Sequence, residues 1–127
     1  GRLGGSGGLC PELSGLCERS DAMLAVYDGG GARFVRHVDN TTADGRLLTV
    51  VLYLNEDWSP EVGGELRMHL SDREPLDLAP LAGRMVLFRA AQLPHEVLPA
   101  WRRRRALTVW YFDRRERLEA VRRADAL

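Results

Sequence analysis

The stretch "HEVLPAWRRRRALTVWYF", residues 95–112, runs from a short apolar segment through four consecutive arginines into a β-prone segment. Side chains alternate between the two faces of a strand. Arg104, Ala106, Thr108, Trp110 and Phe112 therefore share one face, and Arg105, Leu107, Val109 and Tyr111 share the other. If the face carrying Thr108 turns to the interior, Arg104 points inward beside the small Ala106, while Arg103 and Arg105 point out. Arg102 has the same parity as Arg104 but lies nearer the turn, where solvent is the better expectation.

Working outward, similar β-rich runs fill the middle of the chain: "AMLAVY", "RFVRHV", "LLTVVLYL", "GELRMHL", "PLDL", "GRMVLF" and "HEVL". "DGGGA" (28–32), "TTADGR" (41–46) and "EVGG" (61–64) break them with residues that tolerate positive φ. With "ALTVWYF" the pattern predicts a mainly β fold, a double-stranded β-helix (jelly roll) of about eight antiparallel strands. After Phe112 the period changes. Leu118, Val121 and Ala124 recur at helical spacing, with Asp113 placed as N-cap and Glu116 three residues on, which predicts a C-terminal helix.

The length of 127 residues suits one domain burying roughly two-thirds of its unfolded surface. Residues 1–20 read as an irregular Gly-rich segment, the expected remnant of a longer chain since the sequence opens "GRLGGSGG" without Met. Residues 21–127 read as the domain. The 18 basic and 18 acidic residues balance, so no net field favours nucleic acid or an anionic membrane. Every basic residue is Arg and Ile is absent, a compositional bias that drains meaning from "RRRR" as a phosphate patch. Cys10 and Cys17 have no disulfide or zinc spacing and read as free thiols.

"HVDN" places His37 and Asp39 two apart, hence on one face if the strand continues, and His95 opens a later strand. Two imidazoles and a carboxylate on one side of a metal suit non-haem Fe(II) with its other side open, although Zn²⁺ accepts the same donors. His69 shares parity with Glu65 and Arg67 and reads as solvent-facing. An inward Arg104 needs an anion, and beside an open-sided metal that anion fits a ligand carboxylate, as in 2-oxoglutarate. Tyr53 is in phase to donate to the same carboxylate, or to be a core tyrosine satisfied by backbone.

These residues resemble the Fe(II)- and 2-oxoglutarate-dependent prolyl hydroxylases, particularly those that modify hypoxia-inducible factor. The likeness runs from about Met23 to Arg117 through "RHVDN", "DGR", "YLNEDW", "GGELR", "VLF", "PHEVLPA" and "LTVWYFD". It implies iron ligands His37, Asp39 and His95, with Arg104 and Tyr53 on the distal carboxylate of 2-oxoglutarate. It further implies Tyr27 near the chelating end, Thr108 and Trp110 lining the site, Leu66 on its apolar wall, and Arg46 facing the protein substrate. Phe34 departs from the Tyr usual in the hypoxia-factor enzymes.

The implied activity is hydroxylation of prolyl residues in a protein or peptide, with O₂ consumed and succinate and CO₂ released, ascorbate as reductant and oxygen sensing as a role. A monomer in the cytoplasm or nucleus, with no nucleic-acid or membrane partner, is the accompanying expectation. The rival readings are a non-catalytic jelly-roll binding module or dioxygenase fragment and, more remotely, nucleic-acid binding through "RRRR".

Overall fold

The computed structural model of the chain describes residues 11–126. Nine strands and a C-terminal helix follow a 3₁₀ turn at Pro11–Leu13: β1 (Leu16–Arg19), β2 (Met23–Tyr27), β3 (Ala32–His37), β4 (Arg46–Tyr53), β5 (Leu66–Met68), β6 (Leu76–Leu78), β7 (Met85–Arg89), β8 (His95–Ala100), β9 (Arg104–Asp113) and α1 (Arg114–Asp125). One sheet runs β1-β9-β4-β7, with β2 also on β9, and faces a second sheet ordered β3-β8-β5-β6. All strand pairs are antiparallel, the two-sheet jelly roll expected from the alternating runs.

β9 organises the larger sheet because its ten residues are long enough to pair with β1, β2 and β4 together. Its parity is the one anticipated. Arg104, Ala106 and Thr108 are buried, whereas Arg105 is exposed. Arg102 and Arg103 lie before the strand in solvent. Between the sheets Tyr53, Leu66, Met68, Val86, Phe88 and Ala106 form the core. Glycines supply left-handed backbone in the turns, Gly29, Gly30 and Gly31 in one and Gly45 in another, where Ala43 also takes a positive φ of 53°.

Two expectations require correction. Residues 1–20 are not irregular throughout: Leu16–Arg19 forms β1, pairing with the end of β9. Only Leu16 is even half-buried, so backbone pairing defines this strand without a side-chain pattern. Cys17 is a free, exposed thiol, and Cys10 lies outside the described residues. His69 is not simply solvent-facing either, because Nε2 meets Glu96 Oε2 at 2.8 Å across the outer side of the sheet.

Helix α1 begins as its sequence dictates. The Asp113 carboxylate accepts a hydrogen bond from Glu116 N at 2.9 Å, satisfying an amide with no partner inside the helix. Glu116 does not fold back onto Asp113. Its Oε1 instead accepts from Asn40 Nδ2 at 3.0 Å and Gly45 N at 3.2 Å, tying α1 to the β3–β4 connection. No helix among the described residues is long and apolar enough to cross a membrane.

Candidate metal and cosubstrate site

His37 and His95 meet through strand register: they are cross-strand partners on β3 and β8, with ring centroids 4.3 Å apart. Asp39 arrives differently from the sequence expectation. β3 ends at His37, and Asp39 sits in the following bend, so the turn of the chain, not strand alternation, brings it back. Asn40 anchors this bend from a buried position. Its amide donates to Ala90 O at 2.9 Å, Nδ2 donates to Arg46 O at 2.9 Å, and Oδ1 accepts from Asp44 N at 3.1 Å.

One ligand atom from each of His37, Asp39 and His95 lies within 4.8 Å of the others. Each imidazole places Nδ1 beside a main-chain carbonyl, Val35 O at 2.8 Å for His37 and Leu93 O at 2.9 Å for His95. A carbonyl only accepts, so in the neutral rings Nδ1 carries the proton and Nε2 keeps its lone pair. Both Nε2 atoms face Asp39 Oδ1, at 3.2 and 3.3 Å. Three lone pairs converging in this way repel unless a cation stands among them, so the donor set fits a divalent metal.

The electrostatics of the triad agree, because a proton can stand in for a cation. Burial alone would raise the Asp39 carboxyl. Hydrogen bonds from His95, Thr49 and Trp110, together with the charge of His95, outweigh it and hold the group down at about 2. Burial depresses His95, but its contact with Asp39 and its bond to Leu93 raise it overall.

The triad forms one part of a cleft of about 310 Å³ between the sheets. Tyr27, His37, Asp39, Arg46, Tyr53, Leu66, His95, Arg104, Thr108 and Trp110, the ten residues singled out from sequence, all line it. Tyr53, Thr49, Leu66, Arg104 and Ala106 are buried and make its floor, whereas Met23 and Phe34, each 47 % exposed, make its rim. Phe34 also packs edge-on against His37, with centroids 4.4 Å apart.

Arg104 is only 4 % exposed. Its Nε donates to Gly64 O at 2.6 Å, and its guanidinium lies 5.2 Å from the Tyr27 ring centroid and 5.1 Å from that of Tyr53. Gly64 makes room for this: a Cβ there would lie 2.9 Å from Arg104 Cδ, and its φ of +75° is left-handed. Burial raises the hydroxyl pKa of both tyrosines, against the pull of Arg104, so both stay neutral donors. Among the described residues no carboxylate pairs with Arg104. Arg46, by contrast, is engaged: Nε donates to Asp44 Oδ2 at 2.9 Å, and the guanidinium stacks 4.8 Å over Trp110.

A model of the 2OG-Fe(II) oxygenase superfamily matches residues 22–112. The chain belongs to this superfamily. It is 46% identical over 106 residues to the hypoxia-inducible factor prolyl hydroxylase of Caenorhabditis elegans, a match that covers 81% of this chain and 15% of that protein. Among solved structures it is similar to a prolyl hydroxylase of Trichoplax adhaerens in complex with a hypoxia-inducible factor peptide, with a TM-score of 0.80 and 38% identity over 83% of this chain and 49% of that one. A prolyl-4-hydroxylase of Pseudomonas putida matches with a TM-score of 0.74 and 45% identity, over 79% of this chain and 54% of that one. The chain thus spans about half or less of each relative. In this chain the donor set and Arg104 lie in one cleft.

Sequence reasoning missed Thr49 and Asn40 as parts of the site. Thr49 Oγ1 donates to Asp39 Oδ2 at 2.7 Å, and Trp110 Nε1 reaches the same oxygen at 3.4 Å. The signal for Thr49 was a small hydroxyl at an inward position within the apolar run from Leu47 to Leu52.

Proposed function

We propose that this chain is the catalytic core of an Fe(II)- and 2-oxoglutarate-dependent prolyl hydroxylase acting on a proline-containing protein or peptide, with ascorbate as reductant and oxygen sensing as its role. The observation that carries the reading is a single cleft joining the His37–Asp39–His95 triad to a buried cation, Arg104, without a described anionic partner. Similarity to prolyl hydroxylases supports the reaction class.

Iron and 2-oxoglutarate, when bound, supply the oxidation: O₂ is consumed, succinate and CO₂ leave, and one oxygen atom is placed on a prolyl carbon. The protein's contribution is positional. His37, Asp39 and His95 hold the metal, and the main-chain bonds at both Nδ1 atoms fix which nitrogen each ring offers. Arg104 pairs with the distal carboxylate of the cosubstrate, and Tyr53 donates to it. Tyr27 and Thr108 stand along the remaining wall, and Leu66 with Ala106 keeps water from the floor. The exposed rim at Met23 and Phe34, next to Arg46 and Trp110, receives the peptide.

Anaerobic titration of the Fe(II) protein with 2-oxoglutarate tests the site. A visible metal-to-ligand charge-transfer band is expected, and folded, iron-loaded protein that gives no band refutes the cosubstrate assignment.

A further inference from the structure

Asp39 is the one member of the triad that lies off a strand, in the bend beyond β3, and its carboxylate has two chemically equivalent oxygens. In this structure they are not equivalent. Oδ1 faces His37 Nε2 at 3.2 Å and His95 Nε2 at 3.3 Å. Oδ2 accepts from Thr49 Oγ1 at 2.7 Å and lies 3.4 Å from Trp110 Nε1. We propose that Thr49, assisted by Trp110, is a positioning residue that reserves Oδ2, so that Asp39 offers the metal one oxygen and room remains around the metal for 2-oxoglutarate and O₂.

The neighbouring residues say why a hydroxyl stands at this position. Thr49 is 1% exposed, at the centre of the larger sheet, opposite Trp110 on β9 and Phe88 on β7. Val51 and Tyr53 continue its inward face. Valine there would have nearly the same volume and equal preference for a strand, without a hydroxyl to desolvate. The hydroxyl has Asp39 as its side-chain acceptor, a charge-assisted bond that orients the carboxylate as well as stabilising it. The cross-strand register with Trp110 then aims a second donor at the same oxygen.

All three ligands follow one rule, since each has its other polar atom occupied. His37 and His95 do so through carbonyls two residues away in their own strands or turns. Asp39 alone depends on side chains, and so it alone can be released by substitution without moving the backbone.

This inference rests on the metal-site reading above, and its test separates the two. Wild-type, Thr49→Val, Thr49→Ser and Trp110→Phe proteins are titrated with Co(II) as probe and then with 2-oxoglutarate, following the visible Co(II) absorption, with circular dichroism and thermal unfolding as checks on the fold. Loss of such an outer hydrogen bond typically weakens metal binding by roughly 10- to 100-fold. Thr49→Val is expected to show that loss, an altered Co(II) spectrum and a weaker spectral response to 2-oxoglutarate. Thr49→Ser restores all three, and Trp110→Phe shifts them in the same direction by less. Should Thr49→Val fail to fold, the serine and phenylalanine variants carry the comparison. A folded Thr49→Val protein with wild-type Co(II) affinity and spectrum overturns the proposal, as does a serine variant as impaired as the valine one. Wild-type protein that binds no Co(II) overturns the metal-site reading itself, and the Thr49 assignment with it.

Discussion

Replacing Arg104 with alanine removes the one buried arginine side chain among the described residues, and its guanidinium lines the cleft. The side chain is 4% exposed, held by Gly64 O at 2.6 Å and flanked by Tyr27 and Tyr53. If the distal carboxylate of 2-oxoglutarate completes this site, the variant leaves that carboxylate desolvated and unpaired. Breaking one member of a buried pair costs on the order of 3–5 kcal/mol. At about 1.4 kcal/mol per tenfold, binding weakens by roughly 100- to several-thousand-fold. Arg103→Ala is the control: Arg103 is exposed and its nearest acid is Asp28 at 3.4 Å, an interaction screened by water. The assay is the 2-oxoglutarate dependence of succinate release, joined to anaerobic titration so that binding is separated from turnover. Equal effects of the two substitutions, or an Arg104→Ala enzyme with an unchanged 2-oxoglutarate requirement, refute the reasoning.

Two further outcomes follow from the ties around the site. Asn40→Ala removes the bonds to Arg46 O, Glu116 and Asp44 N, leaves partly buried groups without partners, and lowers stability by about 2–3 kcal/mol in urea unfolding. Asp44 is raised by burial, but this is outweighed by its bonds to Arg46 and by the charges of Arg46 and Arg117, so its folded pKa lies below the ordinary 3.8. Its contribution is therefore complete above pH 3.8 and lost as pH falls through the depressed folded value. The stability gap between wild type and Asp44→Asn should accordingly be constant near neutrality and close in acid, which unfolding at a series of pH values measures.

The architecture was legible where burial writes a period of two. On β9 the alternation of buried Arg104, Ala106 and Thr108 with exposed Arg105 is visible in the sequence, and it narrows the four arginines to Arg102 and Arg104, between which the family resemblance chooses Arg104. β1 left no such trace, because its stabilisation is backbone pairing at a sheet edge with three of its four residues exposed. Asp39 was correctly grouped with His37 but for an incomplete reason. Its return to the two histidines depends on a bend fixed by Asn40, whose partners lie on β4, α1 and the connection after β7. The task of Thr49 was hidden for a related cause, since only the cross-strand register shows that its hydroxyl and the Trp110 indole meet at one carboxylate oxygen.

Isotopically labelled O₂ discriminates a coupled hydroxylation of proline from its alternatives. Iron-loaded protein, 2-oxoglutarate, ascorbate and a panel of proline-containing peptides are incubated under the labelled gas, and peptide and cosubstrate are read together by mass spectrometry. Labelled hydroxyproline is expected, formed in step with succinate and abolished by His37→Ala or Asp39→Ala. Proline hydroxylation that survives both substitutions, or hydroxyproline formed without succinate, would contradict it.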